Sequence, residues 1–215
     1  MSTPLLADSP GVPPLGSPRL TFRVGYGKGK GMEGENGKLS GELRKEWYGT
    51  ELPEPVRYAF QVLDGKLVYT AGQHRAVKIH PTAKPGDFVE GLWEYDTAEF
   101  FISNAEGTRY MEFNLSPNGA WWACVFTEPR VRDLAVPPLT SVETRGNIAP
   151  DGSWECRVSL PLAYLETIGI NPAHCRLAAA AIQNSPDYLY LTTSNDLHGE
   201  PDFHRPWSWD ITSLV

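Results

Sequence analysis

The sequence has no run approaching the roughly 18 to 20 apolar residues that a membrane-spanning helix needs. It also has no excess of basic charge. Its 19 Lys and Arg stand against 26 Asp and Glu, a formal net charge of −7, the wrong sign for a nucleic-acid-binding footprint. Cysteines are few: Cys124, Cys156 and Cys175. An odd number without CxxC spacing indicates neither a disulfide framework nor a zinc knuckle, so a reduced, cytoplasmic compartment is expected. The start lacks the basic and apolar regions of a secretory leader; residues 1–19 instead carry Pro4, Pro10, Pro13, Pro14 and Pro18. No signal peptide, no membrane and no nucleic acid are therefore expected.

What the chain has in excess is turn formers and rings. Its 20 Gly and 19 Pro make 39 of 215 residues, about 18% against an average near 12%. That density of breakers excludes a helix bundle. The 7 Trp, 9 Tyr and 8 Phe exclude a disordered chain, which cannot carry so much apolar surface.

Strand-like runs recur at short spacing from Trp47 onward: 56–63, 66–71, 76–79, 97–103, 109–116, 119–126, 153–160, 176–184 and 188–192. A further short run lies at 20–24. Turn signals such as Asp64-Gly65, Pro117-Asn118-Gly119 and Asp151-Gly152 separate them, as in a sandwich or barrel. Residues 25–41, rich in Gly and Lys, read as a loop. Only 162–168 reads as a helix, stopped by Gly169 and Asn171-Pro172. The expected organisation is an irregular segment over 1–19 and a single all-β domain over 20–215.

Period-two alternation sorts the strands into faces. Met111, Phe113 and Leu115 point one way; Tyr110, Glu112 and Asn114 point the other. Trp154, Cys156, Val158 and Leu160 share a core face, opposite Glu155, Arg157 and Ser159. The 119–126 strand carries Trp121 on one side and Trp122 on the other, so it is buried on both faces or forms an aromatic floor for a ligand.

Several motifs bear on chemistry. Gly29-Lys30-Gly31-Met32-Glu33-Gly34 matches GxGxxG, but no helix opening follows to hold a pyrophosphate. Asp196, His198, Glu200, Asp202 and His204 crowd one loop; Asp202 and His204 are weak metal candidates, with Ca²⁺ possible. Glu99 and Glu112 are the carboxyls that could face one another as a hydrolase pair. No G-x-S-x-G or HExxH is present. No cofactor is expected, and haem is disfavoured because Met111 falls on the apolar face.

The strongest constellation is Trp93-Glu94 before Glu99-Phe100-Phe101-Ile102, then Tyr110-Met111-Glu112-Phe113-Asn114-Leu115-Ser116-Pro117, Trp154 through Leu160-Pro161-Leu162, and the closing Pro201-Asp202-Phe203-His204. This series resembles the DOMON-like superfamily, and within it domains similar to family 9 carbohydrate-binding modules. The resemblance spans about Leu20 to the C-terminus. It implies an antiparallel, jelly-roll-type β-sandwich with one short helix, whose curved sheet face holds a small ligand, commonly a sugar. It implies a non-catalytic binding module with a small-molecule or carbohydrate ligand.

The residue types that sugar binding requires are also present by pattern alone. Ring C–H faces stack on aromatics and hydroxyls need polar partners. Trp93, Trp121, Trp122 and Tyr110 are the stacking candidates; Glu99, Glu112, Asn114, Arg157 and Gln183 are the polar ones. Two rival expectations stand beside this: a structural or interaction domain whose cleft is filled by its own side chains, with Glu112 and Arg157 as a plain ion pair, and a glycoside-active enzyme using Glu99 and Glu112.

Overall fold

The computed structural model describes residues 38–140, 142–184 and 188–214. The GxGxxG motif, the 20–24 strand and the 1–19 segment lie outside the described residues. Twelve strands are described: β1 (Lys38–Lys45), β2 (Glu51–Leu63), β3 (Lys66–His74), β4 (Thr97–Asn104), β5 (Tyr110–Leu115), β6 (Trp121–Glu128), β7 (Val131–Arg132), β8 (Glu143–Ile148), β9 (Ser153–Pro161), β10 (Cys175–Asn184), β11 (Tyr188–Thr192) and β12 (Asp210–Thr212). One α-helix, α1 (Leu162–Thr167), follows β9. The fold is an antiparallel β-sandwich. One sheet runs β1-β2-β3-β9-β8; the larger runs β11-β10-β4-β5-β6-β7, with β12 also on β10.

Local sequence sets the tightest turn. Leu63 pairs with Lys66, leaving a two-residue loop in which Asp64 (φ 50°) and Gly65 (φ 71°) are both left-handed. That is the hairpin geometry that suits strand twist.

Between the sheets lies a continuous apolar core. Phe100 stacks on Phe113 (5.2 Å, 9°), and Phe113 on Trp121 (5.5 Å, 9°). Trp154, Cys156, Val158 and Leu160 fill the facing side as alternation requires. At one end the β5–β6 turn meets β8. A Cβ on Gly146 would lie 2.2 Å from the Asn118 carbonyl carbon, and Thr144 Oγ1 donates to the Gly119 carbonyl at 2.7 Å. Two glycines thus let the sheets close on each other there.

Two local expectations fail, and three strands had no expectation. Residues 76–79 form no strand; the Lys78 amide and carbonyl instead bond the Asp96 side chain and amide. Residues 38–41 are the start of β1 and not a loop, held by pairing to β2. β7, β8 and β12 carried no readable signal: β8 is Glu-Thr-Arg-Gly-Asn-Ile, largely polar because it is a sheet edge.

Candidate functional site

The larger sheet carries a second apolar layer on its outer face, built on Phe101, Trp122 and Phe126 and covered by Trp47, Phe203 and Trp209. Here the C-terminal chain folds back over the sheet. Arg205 organises that chain: Nη1 donates to the Asp196 carbonyl and Oδ1, both at 3.1 Å, and Nη2 to the His198 carbonyl at 2.7 Å. Its guanidinium lies 5.2 Å over the Trp47 ring, and Trp47 Nε1 donates to the Gly199 carbonyl at 2.8 Å.

The cover is incomplete. A cleft of about 390 Å³ remains, with Trp93, Trp122, Phe126, Tyr190 and Phe203 on its walls and Glu99 and Glu112 in its floor. Small residues leave this room: Glu99 pairs with Ala180 and Phe101 with Ala178 on β10. Trp93 and Trp122 meet edge to face at 4.9 Å.

The floor is polar and buried. Glu99 is 2% exposed and Glu112 7% exposed. On the sheet Glu99 pairs with Asn114, and Glu112 with Phe101, so the two carboxyls rise from neighbouring strands one step apart. Asn114 Nδ2 donates to Glu112 Oε1 at 2.6 Å. Glu99 Oε1 has no hydrogen-bond partner, a costly state for a buried polar atom. Burial, then the neighbouring Glu112 charge, holds the Glu99 carboxyl well above the usual range. Burial pushes Glu112 up to about 7, against the Asn114 bond and the charges of Arg130 and Arg132.

His204 closes the site from above. Tyr110 Oη accepts from the Arg130 amide at 3.0 Å, so its own proton goes to His204 Nδ1, 2.6 Å away. This leaves the imidazole proton on Nε2, which faces Glu112 Oε2 at 3.6 Å. Burial, and then Arg130, lowers His204 to about 4, so the ring is neutral at pH 7. The rim arginines are already engaged: Arg130 with Asp202 at 2.8 Å, and Arg132 with Glu90 at 2.6 Å and over the Trp122 ring at 5.1 Å.

The structure brings together Trp93, Glu99, Glu112 and Trp122, with Asn114 supporting Glu112. It separates the other candidates. Arg157 lies on β9 in the five-stranded sheet, pairing with Thr70 and Arg145, so it neither joins Glu112 nor forms an ion pair with it. Gln183 points between the sheets and donates to Gln73 Oε1 at 2.6 Å. Trp121 is packed in the inner core on Phe113. Tyr110 is fully buried, stacked on Phe126, and serves His204 rather than a stacking surface. Asp202 takes the Arg130 bond and the His204 amide; among the described residues no group of three His, Cys, Asp or Glu could hold a metal. Sequence reasoning missed His204 as a partner of Glu112, Tyr190 and Phe203 as walls, and Arg130 and Arg132 as rim. Only the "Pro-Asp-Phe-His" ending signalled any of them.

A larger, open concavity of about 960 Å³ crosses the outer face of the five-stranded sheet and includes Arg157. It is the weaker candidate. Its floor has no buried carboxyl, and Arg57 there is paired with Glu42.

No family model matches the chain. The UPF0462 protein C4orf33 homolog of Danio rerio is 30% identical over 156 residues, covering 71% of this chain and 77% of that protein. Among solved structures, a Bacteroides uniformis protein provisionally described as carbohydrate-binding superposes with a TM-score of 0.65 at 16% identity, covering 80% of this chain and 84% of that one. A family 9 carbohydrate-binding module of Caldicellulosiruptor kristjanssonii, solved with glucose, gives 0.49 at 11% identity over 75% of this chain and 76% of that one. The Bacteroides likeness shows the sandwich fold.

Proposed function

The chain belongs to the UPF0462 family, and we propose that it is a non-catalytic module that binds a small ligand of the carbohydrate class in the cleft over Glu99 and Glu112. One observation carries this reading: a buried carboxyl oxygen, Glu99 Oε1, is left without a partner at the floor of an aromatic-walled cleft. Buried polar atoms are normally satisfied by the protein itself, so an orphan on a residue that lines the cleft is suited to a ligand's donor. Trp93 and Trp122 offer ring faces and edges for the apolar side of a sugar, and the carboxyls offer acceptors for its hydroxyls.

Further support comes from three directions. The sandwich is shared with a protein provisionally described as carbohydrate-binding. The Glu99-Phe100-Phe101-Ile102 strand and the "Pro-Asp-Phe-His" close keep the finer, DOMON-like placement within this proposal. The three cysteines are unpaired, which favours a cytoplasmic protein and hence a soluble metabolite over an extracellular polymer.

Two rivals are less well supported. A self-filled cleft is disfavoured by the remaining 390 Å³. Hydrolysis requires carboxyls on opposite sides of a scissile bond, whereas Glu99 and Glu112 rise side by side from one sheet face. The test is calorimetric titration with glucose, N-acetylglucosamine and their oligomers, alongside tryptophan fluorescence. Saturable binding weakened about tenfold or more by Glu112→Gln supports the proposal. Sugar binding that ignores both Glu112→Gln and Glu99→Gln, or no sugar binding at all, sinks it.

A further inference from the structure

The floor carboxyls have no cation of their own. Among the described residues Glu99 makes no ion pair, and the only basic group within 4 Å of Glu112 is His204, whose ring is neutral for the reason given above. Arg130 and Arg132 face the same cleft but are matched by Asp202 and Glu90. Two acidic side chains therefore sit under a ring of aromatic walls with Glu99 Oε1 unsatisfied. Aromatic walls over an acidic floor form an environment that favours a cation: the ring faces attract it and the carboxylates accept its protons.

We propose that the ligand of this cleft carries a protonated amine, seated between Glu99 and Glu112 and walled by Trp93, Trp122, Phe203 and Tyr190. This rests on the carbohydrate reading in one respect: if the ligand is a sugar, it is an amino sugar and not a neutral one. An ammonium presents three donors, enough to supply both floor carboxyls. A neutral hydroxyl presents one donor and leaves the second carboxyl without one. Burial raises both carboxyls and an ammonium beside them lowers them again, so its seating would also expel protons.

The experiment titrates four probes by calorimetry near neutral pH: glucosamine, glucose, cyclohexylamine and cyclohexanol. Each amine is expected to bind about ten- to a hundredfold more tightly than its hydroxyl counterpart, the range of a charge-assisted hydrogen bond. Repeating the titrations in buffers of different ionisation heat is expected to show proton release with the amines and none with the neutral probes. Glu99→Gln is expected to collapse the amine preference; if that variant does not fold, Glu112→Gln serves, because it removes the other half of the floor. Equal binding of glucose and glucosamine overturns the inference and leaves the carbohydrate reading standing. Tight, Glu99-dependent cyclohexylamine binding with neither sugar bound overturns the carbohydrate reading and keeps the ammonium site. An amine preference that survives both substitutions, or no amine binding, overturns the inference.

Discussion

Tyr110 and His204, 94 residues apart in sequence, are joined by a 2.6 Å hydrogen bond between Oη and Nδ1. The Arg130 amide fixes the direction of that bond by occupying the Tyr110 oxygen from the other side. The β5 strand thus orients the lid residue that faces Glu112.

Tyr110→Phe should remove this control. The Arg130 amide loses its acceptor and His204 Nδ1 its donor, at a cost of about 1 to 3 kcal/mol. Denaturant unfolding should show that loss, and ligand affinity should fall with it. Unchanged stability and affinity would mean that the bond has no role in the site.

The floor carboxyls make stability pH-dependent, with a sign that follows from their shifts. Glu99 and Glu112 are both raised, so the folded state holds protons that the unfolded chain has released, and stability falls as pH rises from the unfolded carboxylate range through the folded values, about 7 for Glu112. His204 acts oppositely. Its folded value of about 4 lies below 6.5, so its contribution is lost as pH falls between those values. Asn114, Arg130, Arg132, Tyr110 and Tyr190 also face these groups. Above pH of about 6.5 only the carboxyl effect remains. Melting temperatures of the wild type should therefore drop as pH rises from about 6.5 through 7, where Glu112 ionises, and Glu112→Gln should flatten that slope. A slope unchanged by the substitution would contradict the assignment.

Arg157→Ala should leave ligand affinity in the cleft unchanged within about twofold, because Arg157 sits on the other sheet. A large loss would move the binding face to the five-stranded sheet.

Gly146→Ala should destabilise the sandwich by about 2 to 3 kcal/mol. The new methyl would strike backbone atoms at Asn118 and Gly119, which cannot step aside as a flexible side chain would. Chemical denaturation reads the effect directly; an Ala variant as stable as the parent would show that the sheets do not close there as described.

Much of this was legible in the strand patterns. Alternation placed Met111, Phe113 and Leu115 inward with Glu112 and Asn114 opposite, and the structure agrees, because a strand with one face on the core leaves its residues only two directions. It could not decide which outward faces belong together. Glu112 and Arg157 are both outward, but on sheets whose outer faces look away from each other, and alternation has no memory of which sheet a strand joins. Trp121 and Trp122 show the same limit. Both faces of β6 are covered, one by the facing sheet and the other by the returning C-terminal chain, and only that second cover makes Trp122 a cleft wall while Trp121 becomes core.

By itself the sequence determined an all-β, turn-rich chain, the periodicity of its strands, the apolar inner faces and the presence of carboxyls on outward positions. These are local matters, governed by side-chain alternation and by glycine and proline at turns. Tertiary structure alone decided that Ala178 and Ala180 open a cleft beside Glu99, that Arg205 folds the chain end over it, and that His204 arrives above Glu112. Those outcomes depend on contacts between segments as far as 152 residues apart, whose pairing is settled by packing two sheets and a loop layer around shared apolar surface, not by any local preference.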